Sequence, residues 1–262
     1  MKQYLKHDEW KVIEDKFHPE FNEITESIFS LGNGRMGQRA NFEETYTGKT
    51  LQGNYVAGVY YPDKTRVGWW KNGYPEYFAK VLNAANWNGI EISIEGVLVD
   101  LHTSKIHSFY RELNMQKGFI LRTCDIELSN GKQIRIESTR FNSLADDESG
   151  VISYSITPLN FSGKIIFNVF IDGNIKNKDA NYDEKFWDEV KVYSQENTSF
   201  VWSKTKKTGF EVITGQRVEF IQANQTLGNL GQSVVKEKYA GIKCFVNARS
   251  FIMLYADDKL KK

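Results

Sequence analysis

Apolar and polar residues alternate with a period of two in this chain, and this pattern most constrains the fold. In the segment 151–157, every second residue from 152 is Ile or Tyr, with Ser or Thr between them. Because successive side chains of a strand point to opposite faces, this spacing predicts a half-buried β-strand. The segment 133–137 alternates in the same way. The segment 163–171 is apolar on both faces, which indicates a strand covered on both sides.

Similar short segments recur along the chain and are separated by turn signals. Further strands are predicted at 25–31, 55–60, 91–94, 119–128, 210–220 and 242–255. The Ser-Asn-Gly triplet at 129–131 predicts a hairpin turn. Helical patterns are sparse, and short helices are predicted only at 75–85 and 182–190. This organisation predicts a mainly β protein with few short helices, built as an antiparallel sandwich of two large packed sheets.

Composition argues against several classes of protein. Hydrophobic residues make up 40% and charged residues 26% of the 262 residues, and the net charge is +1. A nucleic-acid-binding protein usually carries a basic surplus or stripe, and this chain shows neither. The first residues contain no apolar h-region and no cleavage signature, and the chain has no run of about 18 apolar residues that could span a membrane. Cys124 and Cys244 lie far apart. We therefore expect no nucleic-acid partner, no membrane contact, reduced thiols and a cytoplasmic location.

Residues 32–37 read GNGRMG, which has the G-x-G-x-x-G spacing of a dinucleotide-binding loop. Such a loop needs an amphipathic helix after it and an acidic ribose ligand about 20 residues further on. The residues 38–46 show no helical apolar stripe, and the segment 53–58 contains no acidic residue. The motif is therefore interpreted as a tight turn in which glycine supplies a positive φ or a close backbone approach.

Other residue types give no pattern of a catalytic or metal site. The histidines at 7, 18, 102 and 107 do not have metal-ligand spacing, and we expect His102 and His107 to face opposite ways on a continuous strand. The adjacent acids Glu43 and Glu44 are interpreted as a solvated structural pair. We predict no catalytic, cofactor-binding or metal-binding residue in this chain.

The segment 64–77 concentrates aromatic rings and cations between glycines and a proline. Its candidate contact residues are Arg66, Trp69, Trp70, Lys71, Tyr74 and Tyr77. Such a loop packs into an interface or contacts a polyhydroxylated or anionic ligand, and interface packing is the favoured interpretation. Aromatic residues reach 14% of the whole chain, which suits large sheets and also sugar-binding faces.

The runs 26–44 and 55–60 resemble the beginning of glycoside hydrolase family 65, and the segment 61–83 resembles the maltose-cleaving phosphorylases of that family. The resemblance implies a β-supersandwich of the galactose mutarotase-like type over residues 1–256. It also implies that residues 257–262 begin a linker to an absent (α/α)6 catalytic barrel. The catalytic glutamate and the phosphate-binding residues would lie in that barrel, so this chain would be a scaffold and interface domain that is inactive alone.

The resemblance also implies the reaction of the full-length enzyme. We expect inverting phosphorolysis of maltose to glucose and β-glucose 1-phosphate, with no organic cofactor or metal. The expected partners are the barrel domain, an α-glucoside disaccharide, phosphate and a second subunit in a homodimer. Alternatives are a stand-alone carbohydrate-binding module, or a parent enzyme that acts on trehalose or kojibiose. A mutarotase-like epimerase would need a histidine and an acid on one face, and four scattered histidines argue against it.

Overall fold

The computed structural model describes residues 4–65, 73–177, 185–222, 225–226, 232–236, 238–248 and 252–261. Within these residues the chain forms one 3-10 helix, Pro19–Phe21, one α-helix, α1 (Asn22–Ile28), and 21 strands. The strands of the first half are β1 (Lys6–His7), β2 (Lys11–Glu14), β3 (Leu31–Gly32), β4 (Met36–Gln38), β5 (Asn54–Val56), β6 (Tyr60–Lys64), β7 (Tyr77–Val81), β8 (Asn86–Ile94), β9 (Val97–Leu98), β10 (Lys105–Asn114) and β11 (Phe119–Glu127). The strands of the second half are β12 (Gln133–Asn142), β13 (Ser149–Pro158), β14 (Gly163–Asp172), β15 (Trp187–Gln195), β16 (Thr198–Thr205), β17 (Glu211–Gln222), β18 (Gln225–Thr226), β19 (Gln232–Lys236), β20 (Tyr239–Ala248) and β21 (Ile252–Lys261).

Two large antiparallel sheets carry the fold. The first has the order β1-β2-β10-β11-β12-β13-β21-β17-β16-β15, with β18 beside β17. The second has the order β19-β20-β14-β8-β9. A three-stranded sheet β3-β4-β5 and a two-stranded hairpin β6-β7 complete the described strands. The prediction of a mainly β, antiparallel sandwich with few short helices is confirmed.

The hydrophobic core lies between the inner faces of the two large sheets. Strand β14 shows the alternation most clearly, because Ile165, Phe167, Val169 and Ile171 are all buried in one core cluster. In the first sheet, five buried residues of β12 and β13 belong to the same cluster: Ile134, Ile136, Ile152, Tyr154 and Ile156. Period-two alternation therefore identified the core-facing residues of these strands correctly, as expected for sheets that each cover one face of a shared core.

The predicted turn at 129–131 is confirmed as the connection between β11 and β12. Gly131 has φ +77° there, a left-handed conformation that glycine adopts without steric cost. The segment 242–255, predicted as one strand, spans parts of the two strands β20 and β21. Both cysteines are buried.

The predicted strand at 25–31 is wrong, because most of it lies in α1. The buried residues of this helix are Asn22, Thr25 and Glu26, which have helical i, i+3, i+4 spacing but are polar. The Asn22 amide donates to Glu26 Oε1 at 2.9 Å, and the Thr25 hydroxyl donates to the Phe21 carbonyl at 3.0 Å. A helix that buries polar residues gives no apolar stripe, so the periodicity did not reveal it.

Both predicted helices are also wrong within the described residues. The segment 75–85 contains β7, which pairs with β6. The segment 182–190 lies partly outside the described residues, and its last residues belong to β15. In each case a short cluster of mixed charged and aromatic residues fits two helical turns locally, and cross-strand pairing decides for a strand.

Strand β21 is an interior strand of the first sheet, paired with β13 on one side and β17 on the other. Its pairs with β13 run from Ile252 opposite Ile156 to Lys259 opposite Ser149. Residues 257–261, expected to begin a linker, therefore lie within this strand. A charged run looks like a solvated tail in sequence, whereas here its backbone completes the ladder between two halves of the sheet.

This position predicts that residues 257–261 stabilise the fold. We expect a chain truncated after Ala256 to lose its cooperative thermal transition in circular dichroism, or to aggregate, because β13 and β17 would keep unpaired backbone groups facing each other. Removal of Lys262 alone, outside the described strand, is the matched control and should leave the melting temperature unchanged. An unaltered transition in the longer truncation would show that the pairing of residues 257–261 contributes little.

Candidate functional site

The adjacent acids Glu43 and Glu44 do not point into solvent, as the sequence suggested, but are buried against β11 and β12. Glu44 accepts hydrogen bonds from both terminal nitrogens of Arg122, at 2.6 Å each, and from the Tyr154 hydroxyl at 3.0 Å. Glu43 Oε2 accepts from Arg122 Nη2 at 2.8 Å, and its Oε1 lies 3.6 Å from Arg140 Nη1. Two carboxylates thus meet two guanidinium groups in the interior, which balances their charges.

The electrostatics of this cluster hold it in its ionised form. Burial alone raises the pKa of Glu43, but Arg140 and Arg122 outweigh burial and lower that pKa below its ordinary value. Burial raises the pKa of the neighbouring Cys124 thiol to about 12, so the thiol stays protonated near neutral pH. Burial also raises the pKa of Tyr154. The cluster therefore attaches the segment 41–46 to the sheet through compensated charges.

The GNGRMG run forms the hairpin between β3 and β4. Asn33 Oδ1 accepts from the backbone nitrogens of Arg35 and Met36 at 3.1 and 2.9 Å. Gly34, between Asn33 and Arg35, has φ +89° and open space at the position of a Cβ. The interpretation as a tight turn that needs a positive φ is confirmed at this glycine.

This turn is also tied to a distant loop. The Asn33 amide donates to the backbone carbonyls of Ser143 and Asp147, at 2.6 and 3.0 Å. Arg35 Nη2 lies 3.3 Å from Glu148 Oε1. The side chains of the motif therefore serve to dock two loops on each other.

The β6–β7 hairpin next to this turn exposes apolar side chains and buries charged ones. In β7, Tyr77, Phe78 and Val81 are 49%, 44% and 60% exposed, whereas Lys80 is buried. Lys80 forms an ion pair with buried Asp63 across the hairpin. A hairpin that stood alone in water would have the opposite arrangement. Exposed apolar side chains grouped in this way make the hairpin a candidate interaction surface.

The base of the hairpin is held by buried amides. Asn83 Oδ1 accepts from the Asn54 backbone nitrogen at 2.8 Å, and its own backbone nitrogen donates to Asn177 Oδ1 at 3.0 Å. Asn177 Nδ2 then donates to the Val81 carbonyl at 2.9 Å, and Trp187 Nε1 donates to the Asn83 carbonyl at 2.8 Å. These bonds fix where β7 leaves the core, so the exposed face has a defined position.

An apolar cleft of about 360 Å³ lies between the hairpin and the GNGRMG turn. Its lining comes from both features and from β5, and includes Gly34, Met36, Tyr55, Val56, Val59, Tyr60 and Val81. We call the exposed side of β7 together with this cleft the hairpin face. Of the six predicted contact residues, Tyr74 and Tyr77 are exposed on or beside this face. Arg66, Trp69, Trp70 and Lys71 lie outside the described residues.

His102 and His107 are less scattered than the sequence indicated, because both line one cleft of about 590 Å³ with Asp15. His102 precedes β10, and the pairing register between β10 and β11 shifts between residues 106 and 108. The two histidines therefore do not lie on one continuous strand. His107 Nε2 lies 3.0 Å from Glu127 Oε2, and this hydrogen bond lowers the pKa of Glu127. Asp15 is paired with Lys6. Both acids are held by basic partners and are poorly suited to acid–base catalysis.

Among the described residues, no group of three or more His, Cys, Asp or Glu side chains is placed to hold a metal ion. Within the same residues, no helix has the length and apolarity to cross a membrane.

The sequence pattern of the glycosyl hydrolase family 65 N-terminal domain matches residues 12–250. The chain belongs to this family. The family 65 domain is similar to the maltose phosphorylase of Bacillus subtilis (strain 168), with 45% identity over 203 residues, which are 78% of this chain and 27% of that protein. It is also 32% identical to the kojibiose phosphorylase of Thermoanaerobacter brockii over 170 residues, 65% of this chain and 20% of that protein.

Two further comparisons bear on the fold and on the extent of the chain. The α,α-trehalose phosphorylase of Thermoanaerobacter brockii is 34% identical over 197 residues, 70% of this chain and 24% of that protein. A solved structure of a candidate kojibiose phosphorylase from the human microbiome superposes with a TM-score of 0.84 at 25% identity, covering 99% of this chain and 33% of that one. The family 65 domain therefore spans about a quarter of the length of these curated relatives.

The buried charge cluster gives a direct test of what holds the segment 41–46 in place. We expect Arg122→Met to lower the free energy of unfolding by about 3–5 kcal/mol, because it leaves two buried carboxylates without their main partner. Arg135→Met is the control: Arg135 binds Asp125 with two hydrogen bonds of 2.7 and 2.8 Å, but at a position where its side chain is 47% exposed. Its loss should cost less than about 1 kcal/mol.

Urea denaturation of both variants measures the difference. If both substitutions lower the free energy of unfolding equally, Arg122 is not the main residue that holds the segment 41–46 in place.

Proposed function

We propose that this family 65 domain is the non-catalytic scaffold and interface domain of a maltose phosphorylase. The observation that carries the proposal is the 45% identity to the Bacillus subtilis maltose phosphorylase, against 32% and 34% for the kojibiose and trehalose phosphorylases. Among the described residues, arginines hold the buried carboxylates Glu43 and Glu44, and basic side chains hold Asp15 and Glu127, which supports a structural role for these acids. In the proposed parent, the general acid and the phosphate-binding residues lie in an (α/α)6 barrel outside this chain.

The proposed reaction is inverting phosphorolysis of maltose. A protonated carboxyl group of the barrel donates its proton to the glycosidic oxygen, and inorganic phosphate attacks the anomeric carbon from the opposite face of the sugar ring. Glucose and β-glucose 1-phosphate are the products. Because phosphate is already an anion, it replaces the water that a second carboxylate would activate in an inverting hydrolase. The proposal includes no cofactor, a cytoplasmic location and a homodimeric parent.

The hairpin face is the proposed contact surface with the rest of the parent protein. Its support is the exposure of Tyr77, Phe78 and Val81 beside an apolar cleft. Exposed apolar side chains beside an apolar cleft are unfavourable in water and are often covered by a partner. The candidate residues Arg66, Trp69, Trp70 and Lys71 belong to the connection between β6 and β7, so the proposal assigns them to the same contact.

A phosphorolysis assay tests the proposed division of labour. The 262-residue chain, incubated with maltose and phosphate, should release no glucose above the uncatalysed background. The full-length protein should release glucose and β-glucose 1-phosphate from maltose, and much less product from trehalose or kojibiose. Turnover by the 262-residue chain would overturn the scaffold role, and a preference of the full-length protein for another disaccharide would overturn the maltose assignment.

The hairpin face is tested by one substitution placed in two contexts. Val81→Ser should leave the melting temperature of the 262-residue chain nearly unchanged, because Val81 is 60% exposed in it. In the full-length protein the same change should destabilise by about 1–2 kcal/mol, because the side chain would be buried there. Leu159→Ser, at another exposed apolar position, is the control and should behave alike in both contexts.

Thermal denaturation of both variants in both contexts, each compared with its unaltered protein, measures the difference. If Val81→Ser has the same small effect in the full-length protein as in the 262-residue chain, the hairpin face is not the contact.

A further inference from the structure

A polar cleft of about 170 Å³ lies on the outer face of the five-stranded sheet, where the segment 41–52 crosses β8 and β14. The inward residues of β14 belong to the core, so Phe170 and its cross-strand partner Gly89 lie on the opposite, outer face. The lining includes side-chain amides, hydroxyls and carboxylates, the aromatic residues Phe42, Tyr46 and Phe170, and Ile90. The residues that bear on ligand binding are Asn41, Tyr46, Gln52, Glu91 and Phe170.

Two glycines hold the aromatic rings of this cleft against the backbone. A Cβ at Gly89 would lie 2.4 Å from Cζ of Phe170, and one at Gly48 would lie 2.5 Å from the Tyr46 hydroxyl oxygen. Such distances exclude any side chain at these two positions without displacement of the ring. Both rings therefore rest on bare backbone in fixed positions, and Phe170 is only half-buried. A fixed, partly exposed ring provides an apolar wall for the C–H face of a ligand.

Two polar atoms of the lining have no hydrogen-bond partner. The Tyr46 hydroxyl and the Gln52 amide nitrogen are both shielded from solvent, and neither contacts a donor or acceptor among the described residues. A shielded polar group without a partner is unfavourable, so a ligand that bonds to both atoms would gain affinity from them. Burial also raises the pKa of Tyr46 to about 12, which keeps its hydroxyl available as a donor.

Neighbouring side chains already orient the other amides of the cleft. Asn41 donates to the Thr50 hydroxyl at 2.9 Å and accepts from the Gly53 backbone nitrogen at 3.1 Å. Asn54 Nδ2 donates to Asn86 Oδ1 at 3.2 Å. Polar groups that are held in place before a ligand arrives lose little conformational entropy on binding.

The charge of the cleft favours a neutral ligand. Glu43 and Glu44 contribute to its lining, but Arg122 and Arg140 compensate them from the core side. Glu91 is the exposed carboxylate of the lining. A sugar hydroxyl both donates and accepts, so it suits a mixed set of amides, a phenol and a carboxylate. We propose that this cleft binds one pyranose ring of a neutral sugar, stacked on Phe170 and hydrogen-bonded to Tyr46 and Gln52.

The proposal goes beyond the proposed function and rests on the described residues alone. It would stand if the full-length protein acted on another disaccharide, or if the hairpin face were not a contact. The site is small and partly open, so we expect weak, saturable binding with a Kd on the order of 1 mM.

The test is a titration of the 262-residue chain with glucose and with maltose, followed by backbone amide chemical shifts in NMR spectra. We expect saturable shifts in the segments 41–52 and 86–91. Tyr46→Phe removes only the unpartnered hydroxyl and should weaken binding about three- to tenfold. Phe170→Ala should abolish saturation. The controls are Tyr193→Phe and Phe200→Ala, which alter exposed rings on β15 and β16 and should bind as the unaltered chain does.

Three results would overturn the proposal. The first is the absence of saturation at 100 mM sugar (~100 times the expected Kd). The second is unchanged binding by Tyr46→Phe, which keeps the test valid even if Phe170→Ala does not fold. The third is a response of the same amides to calcium chloride but not to glucose, which would assign the cleft to a cation held by Glu91. Since the readout is binding by this chain, failure here leaves the phosphorolysis assay unaffected.

Discussion

The buried ion pairs of Arg122 with Glu43 and Glu44 are the interaction on which the positions of the hairpin face and the polar cleft depend. It ties the segment 41–46 to the inner face of the first sheet, through hydrogen bonds of 2.6–2.8 Å in a region closed to water. The same segment leads to β5, whose Asn54 joins the amides at the base of the β6–β7 hairpin. A buried ion pair of this kind contributes little net stability, but breaking it leaves an uncompensated charge in the interior. It therefore specifies one position for a segment that has few apolar residues of its own.

Buried charged residues and exposed apolar residues lie next to each other in the β6–β7 hairpin. Around β7, the charged residues Asp63 and Lys80 are buried, and Tyr77, Phe78 and Val81 are exposed. Because a self-sufficient domain would gain free energy from the opposite arrangement, we propose that the hairpin face is one half of a larger interface. This agrees with a family 65 domain that spans about a quarter of its curated relatives.

The sequence predicted the parts of the fold that follow from local rules. Alternation in β12, β13 and β14 identified strands and their core-facing residues, and the Ser-Asn-Gly triplet located a hairpin. The errors concern segments in which burial or strand pairing decides the structure and the local residue pattern does not show it. Helix α1 buries polar residues, and one of them, Asn22, also bonds to the carbonyl of Lys49. Strand β7 exists because β6 pairs with it.

By itself the sequence determined the fold class, the glycine turn at 32–37 and the membership of family 65, because periodicity, turn chemistry and motif identity are all local properties. Only the tertiary structure decided the fate of the charged residues. Glu43 and Glu44 look like a solvated pair in sequence, yet they meet arginines from strands about 80 and 100 positions away. It also showed that Tyr46, Gln52 and Phe170 line one cleft. Burial and pairing depend on which strands become neighbours, and that is settled by packing the whole core.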